Sequence, residues 1–361
     1  MNRRCRAGRL LVMVLLCAPA AVAAPDSLTV ATWGGAYEAS QRKAYFAPFT
    51  AATGIDIETA GYRGGVEPLA RNADRWDVVD MTMADHRRAC AGGLLQPMPD
   101  GVLADAPDGT PPRQDFLPGS LTRCGVAHIV FSTVIAFDKR AFPGARPYRV
   151  GHLFEPDLYP GKRALQQRPD AILEWALRSY GVPVADLYGL LSTERGLRLA
   201  FRRLEQIREQ IVWWRDPAEA VRLLVEQEVT MASGYNGRFF DAAVVRGQPL
   251  EIIWDGQVYE LEAWGVPSGS DAAAAAWQFV RFATRTESLA RQATWIAYGP
   301  ARRSAARQVA EHAATGVAMQ PHMPTTEAHL ETAIRKDADW YARTRGRLDE
   351  RFNAWLAAGT R

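Results

Sequence analysis

The chain has 361 residues, 48% of them hydrophobic and 23% charged, with 43 basic against 40 acidic side chains for a formal charge of +3. Four arginines lie within the first nine residues, so the chain from residue 24 onward carries 39 basic against 40 acidic groups, a net −1. That balance argues against a basic nucleic-acid binder, and the length leaves room for two ordinary domains.

Arg3, Arg4, Arg6 and Arg9 precede an apolar run over residues 10–18 and the small residues Ala21, Val22 and Ala23. This pattern predicts a secretory signal peptide over residues 1–23, too short to span a membrane, and places the mature chain in the periplasm. Leu16 stands before Cys17 where a lipoprotein would need a small residue, which argues against lipidation. Cys90 and Cys124 are the cysteines that remain, and an even pair in an oxidising compartment predicts a disulfide.

Leu28 to Thr32 reads as a short buried strand, followed by Trp33, Gly34, Gly35 and Tyr37 and then a helix over residues 38–52. A bulky aromatic beside two flexible glycines at a strand's carboxyl end suits either packing or a ligand wall. Further strands are expected over residues 56–59, 78–81, 128–137, 229–234 and 250–254, and Pro99 to Pro118 reads as a surface loop. The apolar stretch from Val126 to Phe137 is long for one strand. It is either a central strand or a crossing between two lobes near Ser132 and Thr133. Asp216, Pro217 and Glu219 form the signature of a capped helix start. A later helix begins at Ser270 or Asp271 and buries Ala276, Phe279, Val280 and Ala283, and Thr286 caps the next. Strands alternating with amphipathic helices define an α/β fold.

No serine-hydrolase, phosphate-loop, dinucleotide or zinc-protease motif is present in the sequence, and the six histidines are scattered. Neither a catalytic residue, a cofactor nor a metal site is therefore expected.

Six stretches, in order, carry a resemblance: "TVATWGGAY", "WDVVDMTMADHRRACAGGLLQPM", "CGVAHIVFSTVIAFD", "YNGRFF", "YELEAWGVPSGS" and "YGPARRSAA". Together they resemble the periplasmic solute-binding proteins of ABC importers, in the spermidine/putrescine-binding branch (extracellular solute-binding protein family 1-like). The resemblance implies a type II two-lobed α/β fold, each lobe a mixed, mostly parallel sheet flanked by helices. Residues 24–132 with 256–300 would form one lobe, and 133–255 with 301–361 the other. Hinges near Ser132–Thr133 and Trp254–Glu262 would close the lobes on a ligand beyond the strands' carboxyl ends.

Carried over by position, the implied binding residues are Trp33, Tyr37, Met83, Tyr235, Asn236, Glu262 and Tyr298. Glu262 falls where the family has an aspartate that holds a ligand amine. Arg63 and Arg168 are departures: arginine stands near the end where a polyamine wants a second acid. The expected ligand is a small, polyamine-like amine, handed by a monomeric, non-catalytic protein to an inner-membrane ABC permease. A diamine held by one acid would reach micromolar affinity only narrowly. Four methylenes give about 3 kcal/mol, two aromatic faces about 2 and one charged hydrogen bond about 2–3, against a need of about 8. An amino-carboxylate, opine or aminophosphonate suits Glu262 plus an arginine better, because guanidinium takes an anion in bidentate fashion. A secreted hydrolase using cleft carboxylates and a sensory binding protein remain as other readings.

Overall fold

A computed structural model describes residues 25–358; the expected signal peptide lies outside the described residues. Among the described residues, eleven strands form one sheet. They are β1 (Ser27–Thr32), β2 (Asp56–Gly61), β3 (Val78–Thr82), β4 (Leu121–Thr122), β5 (Gly125–Asp138), β6 (Arg163–Gln166), β7 (Ile211–Trp214), β8 (Met231–Tyr235), β9 (Leu250–Gly265), β10 (Gly299–Pro300) and β11 (Ile334–Arg335). The long path runs β2-β1-β3-β9-β5-β8-β6-β7, with β4 and β10 paired to β5 and β11 paired to β9.

At one end β2, β1 and β3 are parallel, and at the other β8, β6 and β7 are parallel. Between them β9 runs antiparallel to β3, β5 runs antiparallel to β8, and the two are antiparallel to each other. Parallel strands covered by helices on both faces need continuous apolar runs, and Leu28, Val30, Ala31, Val78 and Val79 are fully buried accordingly.

Two groups of helices cover the two ends. Tyr45, Phe46, Phe49, Phe279, Val280 and Leu289 pack with Leu28, Val30 and Trp264 in one core, which also takes in Ala301 and Ala305. Ile172, Trp175, Leu197, Leu204, Tyr341 and Leu348 form a second core, and the helix Ala338–Ala358 packs into it. A disulfide joins Cys90 at the end of helix Met83–Ala91 to Cys124 just before β5.

All fourteen residues of β5 are buried, and the strand belongs to both ends of the sheet. Its pairing with β9 slips between Thr133 and Ile135, whose partners are Val258 and Ile253. Trp254, Asp255, Gly256 and Gln257 thus lie opposite Val134 alone, and Gly256 takes a positive φ of 66° there. Ser132 Oγ donates to Gln257 Oε1 at 2.6 Å beside this bulge.

Local differences from expectation have physical causes. The first helical region starts earlier, at Gly35, and runs to Thr53 through a wider π-turn at Arg42–Phe46. β9 continues to Gly265 instead of ending at Trp254, because Asp255, Glu260 and Glu262 interrupt the apolar pattern without interrupting the strand. β6 and β7 have four residues each, too few for a readable alternation. Arg285, not Thr286, is the cap of helix Thr286–Ala293. The Asp216 cap is as expected: its Oδ1 accepts from Ala218 N at 3.0 Å, and Glu219 Oε2 accepts from Asp216 N at 3.2 Å.

Candidate binding site

The site begins where β1 ends. Gly34 and Gly35 take positive φ of 67° and 62°, which turns the chain from strand to helix at little steric cost. The turn leaves the Trp33 and Gly34 carbonyls facing the other end of the sheet. Arg238, on helix Asn236–Phe240 immediately after β8, reaches across and donates from Nη2 to both, at 3.1 and 3.2 Å. A Cβ on Gly35 would sit 2.5 Å from Arg238 Nη1. The second glycine therefore makes room for a guanidinium from the opposite half.

Trp33, Tyr37, Thr82, Phe131, Pro217, Tyr235, Arg238, Glu262 and Tyr298 wall one inner cavity of about 350 Å³, including the space at its mouth. Its rings brace one another edge-on: Tyr37 lies 5.5 Å from Tyr298, and Phe131 lies 5.5 Å from Tyr235, between centroids. Trp33 packs edge-on against Tyr62 at 4.8 Å. Behind the wall, the Tyr37 hydroxyl donates to Asp80 Oδ2 at 2.7 Å. Gln41 Nε2 donates to the same oxygen at 2.6 Å, and His128 Nε2 lies 3.0 Å from Oδ1. This buried shell fixes the Tyr37 ring.

Glu262 is the acid of the cavity. It sits on β9 in register with Thr82 of β3, and it is buried. Burial, with the negative charges of Asp80 and Glu260 behind it, pushes its carboxyl well above the usual carboxylate range. The Trp33 indole N–H and the Arg238 guanidinium act the other way. Trp33 Nε1 itself has no partner in hydrogen-bond geometry. An acid and a guanidinium thus share a cavity with no ion pair between them, and aromatic faces fill the gap.

Not every expected wall residue is here. Trp33, Tyr37, Tyr235, Glu262 and Tyr298 come together. Met83 turns into the first core, and its neighbour Thr82 reaches the cavity instead. Asn236 uses its amide structurally, Oδ1 accepting from Ser132 N at 3.0 Å and Nδ2 donating to Ala297 O at 2.5 Å. Arg63 and Arg168 line a wider outer chamber next to the cavity, not the cavity itself. Sequence reasoning missed Thr82, Phe131, Pro217 and Arg238 as wall residues. Arg238 stands three residues after Tyr235, a spacing that puts both on one side of a helix start.

Among the described residues no group of three His, Cys, Asp or Glu side chains could hold a metal, and no helix is long and apolar enough to cross a membrane.

Walls from two ends of a sheet, meeting at strand carboxyl ends, define a cleft-type α/β binding protein. The chain belongs to the family described as "Bacterial extracellular solute-binding protein", which matches residues 44–325. It is 34% identical over 353 residues to a gamma-aminobutyric acid (GABA)-binding protein of Pseudomonas aeruginosa, covering 97% of this chain and 96% of that one. A GABA receptor of known structure is 25% identical with a TM-score of 0.76, covering 91% of this chain and 97% of that one. The two-lobed fold is shared with the Agrobacterium tumefaciens binding protein MotA, solved with glucopine: TM-score 0.81, 23% identity, 91% of this chain and 99% of that one.

Proposed function

We propose that this protein is the periplasmic capture component of an ABC importer, and that it binds an ω-amino acid of the GABA kind by closure of its two lobes. One observation carries the reading: Glu262 and Arg238 face the same aromatic cavity. A ligand ammonium restores the ionised form of Glu262, and a ligand carboxylate takes an Arg238 N–H that the Trp33 and Gly34 carbonyls leave free. The apolar chain between them lies against Tyr37, Phe131, Tyr235 and Tyr298. A diamine fits less well, because its second ammonium would meet a guanidinium in a buried space. The relatives that are named as GABA binders agree with this choice.

The lobes would divide at the β5–β9 seam, with the bulge at Trp254–Gln257 as the flexible joint. Calorimetric titration of the purified protein with GABA, 5-aminovalerate, putrescine and spermidine tests the ligand class. GABA or 5-aminovalerate should bind in the micromolar range or tighter and be recovered unchanged. Tighter binding of either polyamine than of both amino acids would overturn the reading, and conversion of the ligand would replace it with an enzyme.

A further inference from the structure

Outside the inner cavity the cleft widens into a chamber of about 1270 Å³, including the space at its mouth. Arg63, Arg168, Arg215 and Arg238 line it, and Asp216 is its single acid. That acid is already used: Arg63 Nη1 meets Asp216 Oδ2 at 2.6 Å, a pair that spans the cleft.

Arg168 has an acid only at the outer limit of ion-pair distance. Its nearest acid, Asp170, is 3.8 Å from Nε, and Asp170 is held by Arg345 at 2.6 Å through both oxygens and by Lys336 at 2.8 Å. Lys336 also pairs with Glu260 at 2.7 Å. Arg345 also faces Asp349 at 3.5 Å, so three acids face three cations in this cluster, and Arg168, the farthest from its acid, keeps its guanidinium toward the chamber. Its guanidinium crosses the cleft: a Cβ on Gly64 would be 3.1 Å from Arg168 Nη1 and 3.3 Å from the Trp33 ring. Arg215 Nε donates to Gln167 Oε1 at 2.6 Å, a neutral partner that leaves its charge uncancelled. Low-dielectric walls focus such a field on the chamber.

Arg238 lines both spaces, so a ligand carboxyl group at Arg238 points onward into the chamber. We propose that the outer chamber is a second subsite for an anionic group, so that the preferred ligand is an ω-amino acid extended at its carboxyl end by at least one further carboxylate. This rests on the ω-amino-acid reading of the inner cavity. The amine enters first and stays at Glu262; the extension ends between Arg168 and Arg215.

The test is titration of the mature protein with GABA and with its carbon-linked conjugate 2-(2-aminoethyl)glutarate, which keeps the GABA amine and carboxylate and adds one carboxylate beyond them. The conjugate should bind about tenfold more tightly than GABA, as one added charge-assisted contact implies. Arg168→Gln and, separately, Arg215→Gln should each weaken the conjugate several-fold more than they weaken GABA, with fold checked by circular dichroism. If GABA binds and the conjugate binds no better, the subsite is refuted and the inner-cavity reading stands. Equal weakening of the two ligands by both variants also refutes the subsite. If neither compound binds the wild-type protein, both readings fall together.

Discussion

Glu262 must lose a proton before it can hold an ammonium at full strength. With its carboxyl raised by burial and by Asp80 and Glu260, the empty site keeps that proton to a higher pH than a free carboxylate does. GABA affinity should therefore increase with pH through the free-state titration of Glu262, and binding on the acid side should release a proton. Titration calorimetry in two buffers of different ionisation enthalpy reads that proton directly. Glu262→Gln should remove the release and weaken GABA by about 2 kcal/mol or more, the cost of a lost hydrogen bond to a charged group. An unchanged affinity would take Glu262 out of the site. Arg238→Gln should weaken GABA by a similar amount and narrow its advantage over putrescine, since the cation opposing the second ammonium is gone. Glu262 was readable from sequence because its flanking pattern, "YELEAWGVP", carries a resemblance. Arg238 was not, because its role depends on two carbonyls more than two hundred positions earlier, which only the folded sheet brings near.

Among the elements, helix Ile172–Arg178 and the terminal helix Ala338–Ala358 meet around a buried acid. Glu174 Oε1 accepts from the Tyr341 hydroxyl at 2.6 Å and the Tyr188 hydroxyl at 3.2 Å, while Oε2 has no partner. Burial raises its carboxyl to about 7 from 4.5. The folded state then holds a proton that the unfolded chain has released between those two values. Stability contributed by this group is fully present below about 4.5, falls as pH rises to about 7, and stays lost above that. The deficit is on the order of 3 kcal/mol at pH 8. Glu174→Gln keeps the acceptor and removes the charge, so urea unfolding should show it more stable than wild type at pH 8 and little different at pH 4.5. A gain of equal size at both values would assign the effect to packing. The strands show the same contrast between what chain neighbours reveal and what the fold decides. Runs such as Val134–Phe137 are apolar on both faces and legible, whereas the second half of β9 hides its strand character behind acids that the seam buries. The disulfide pairing was legible from count and compartment alone. It closes a separation of 34 residues, and its reduction should cost about 3–4 kcal/mol by loop entropy.

For the molecule as a whole, ligand-driven closure requires contacts that exist only when the two halves meet. The cavity has that property: Trp33 and Tyr37 belong to the β1 end, Tyr235 ends β8 and Arg238 follows it, and Glu262 sits on the shared strand β9. Bridges already span the halves, among them the exposed Arg63–Asp216 pair, the more buried Arg238 contact with the Trp33 and Gly34 carbonyls, and an Arg87–Asp339 pair away from the cavity. The first two act at the cleft. The first contributes at most about 1 kcal/mol, because solvent screens it. The second depends on glycine, since a side chain at Gly35 would strike Arg238 and strain a positive φ. Gly35→Ala should therefore hold the lobes apart. Small-angle scattering should show the wild-type radius of gyration shrinking on addition of GABA, and the Gly35→Ala protein staying extended with affinity reduced about tenfold or more. Shrinkage of equal size in both proteins would show that closure proceeds without the Arg238 bridge. No shrinkage in either would leave a rigid cleft, which could bind GABA but could not signal its presence to a permease by a change of shape.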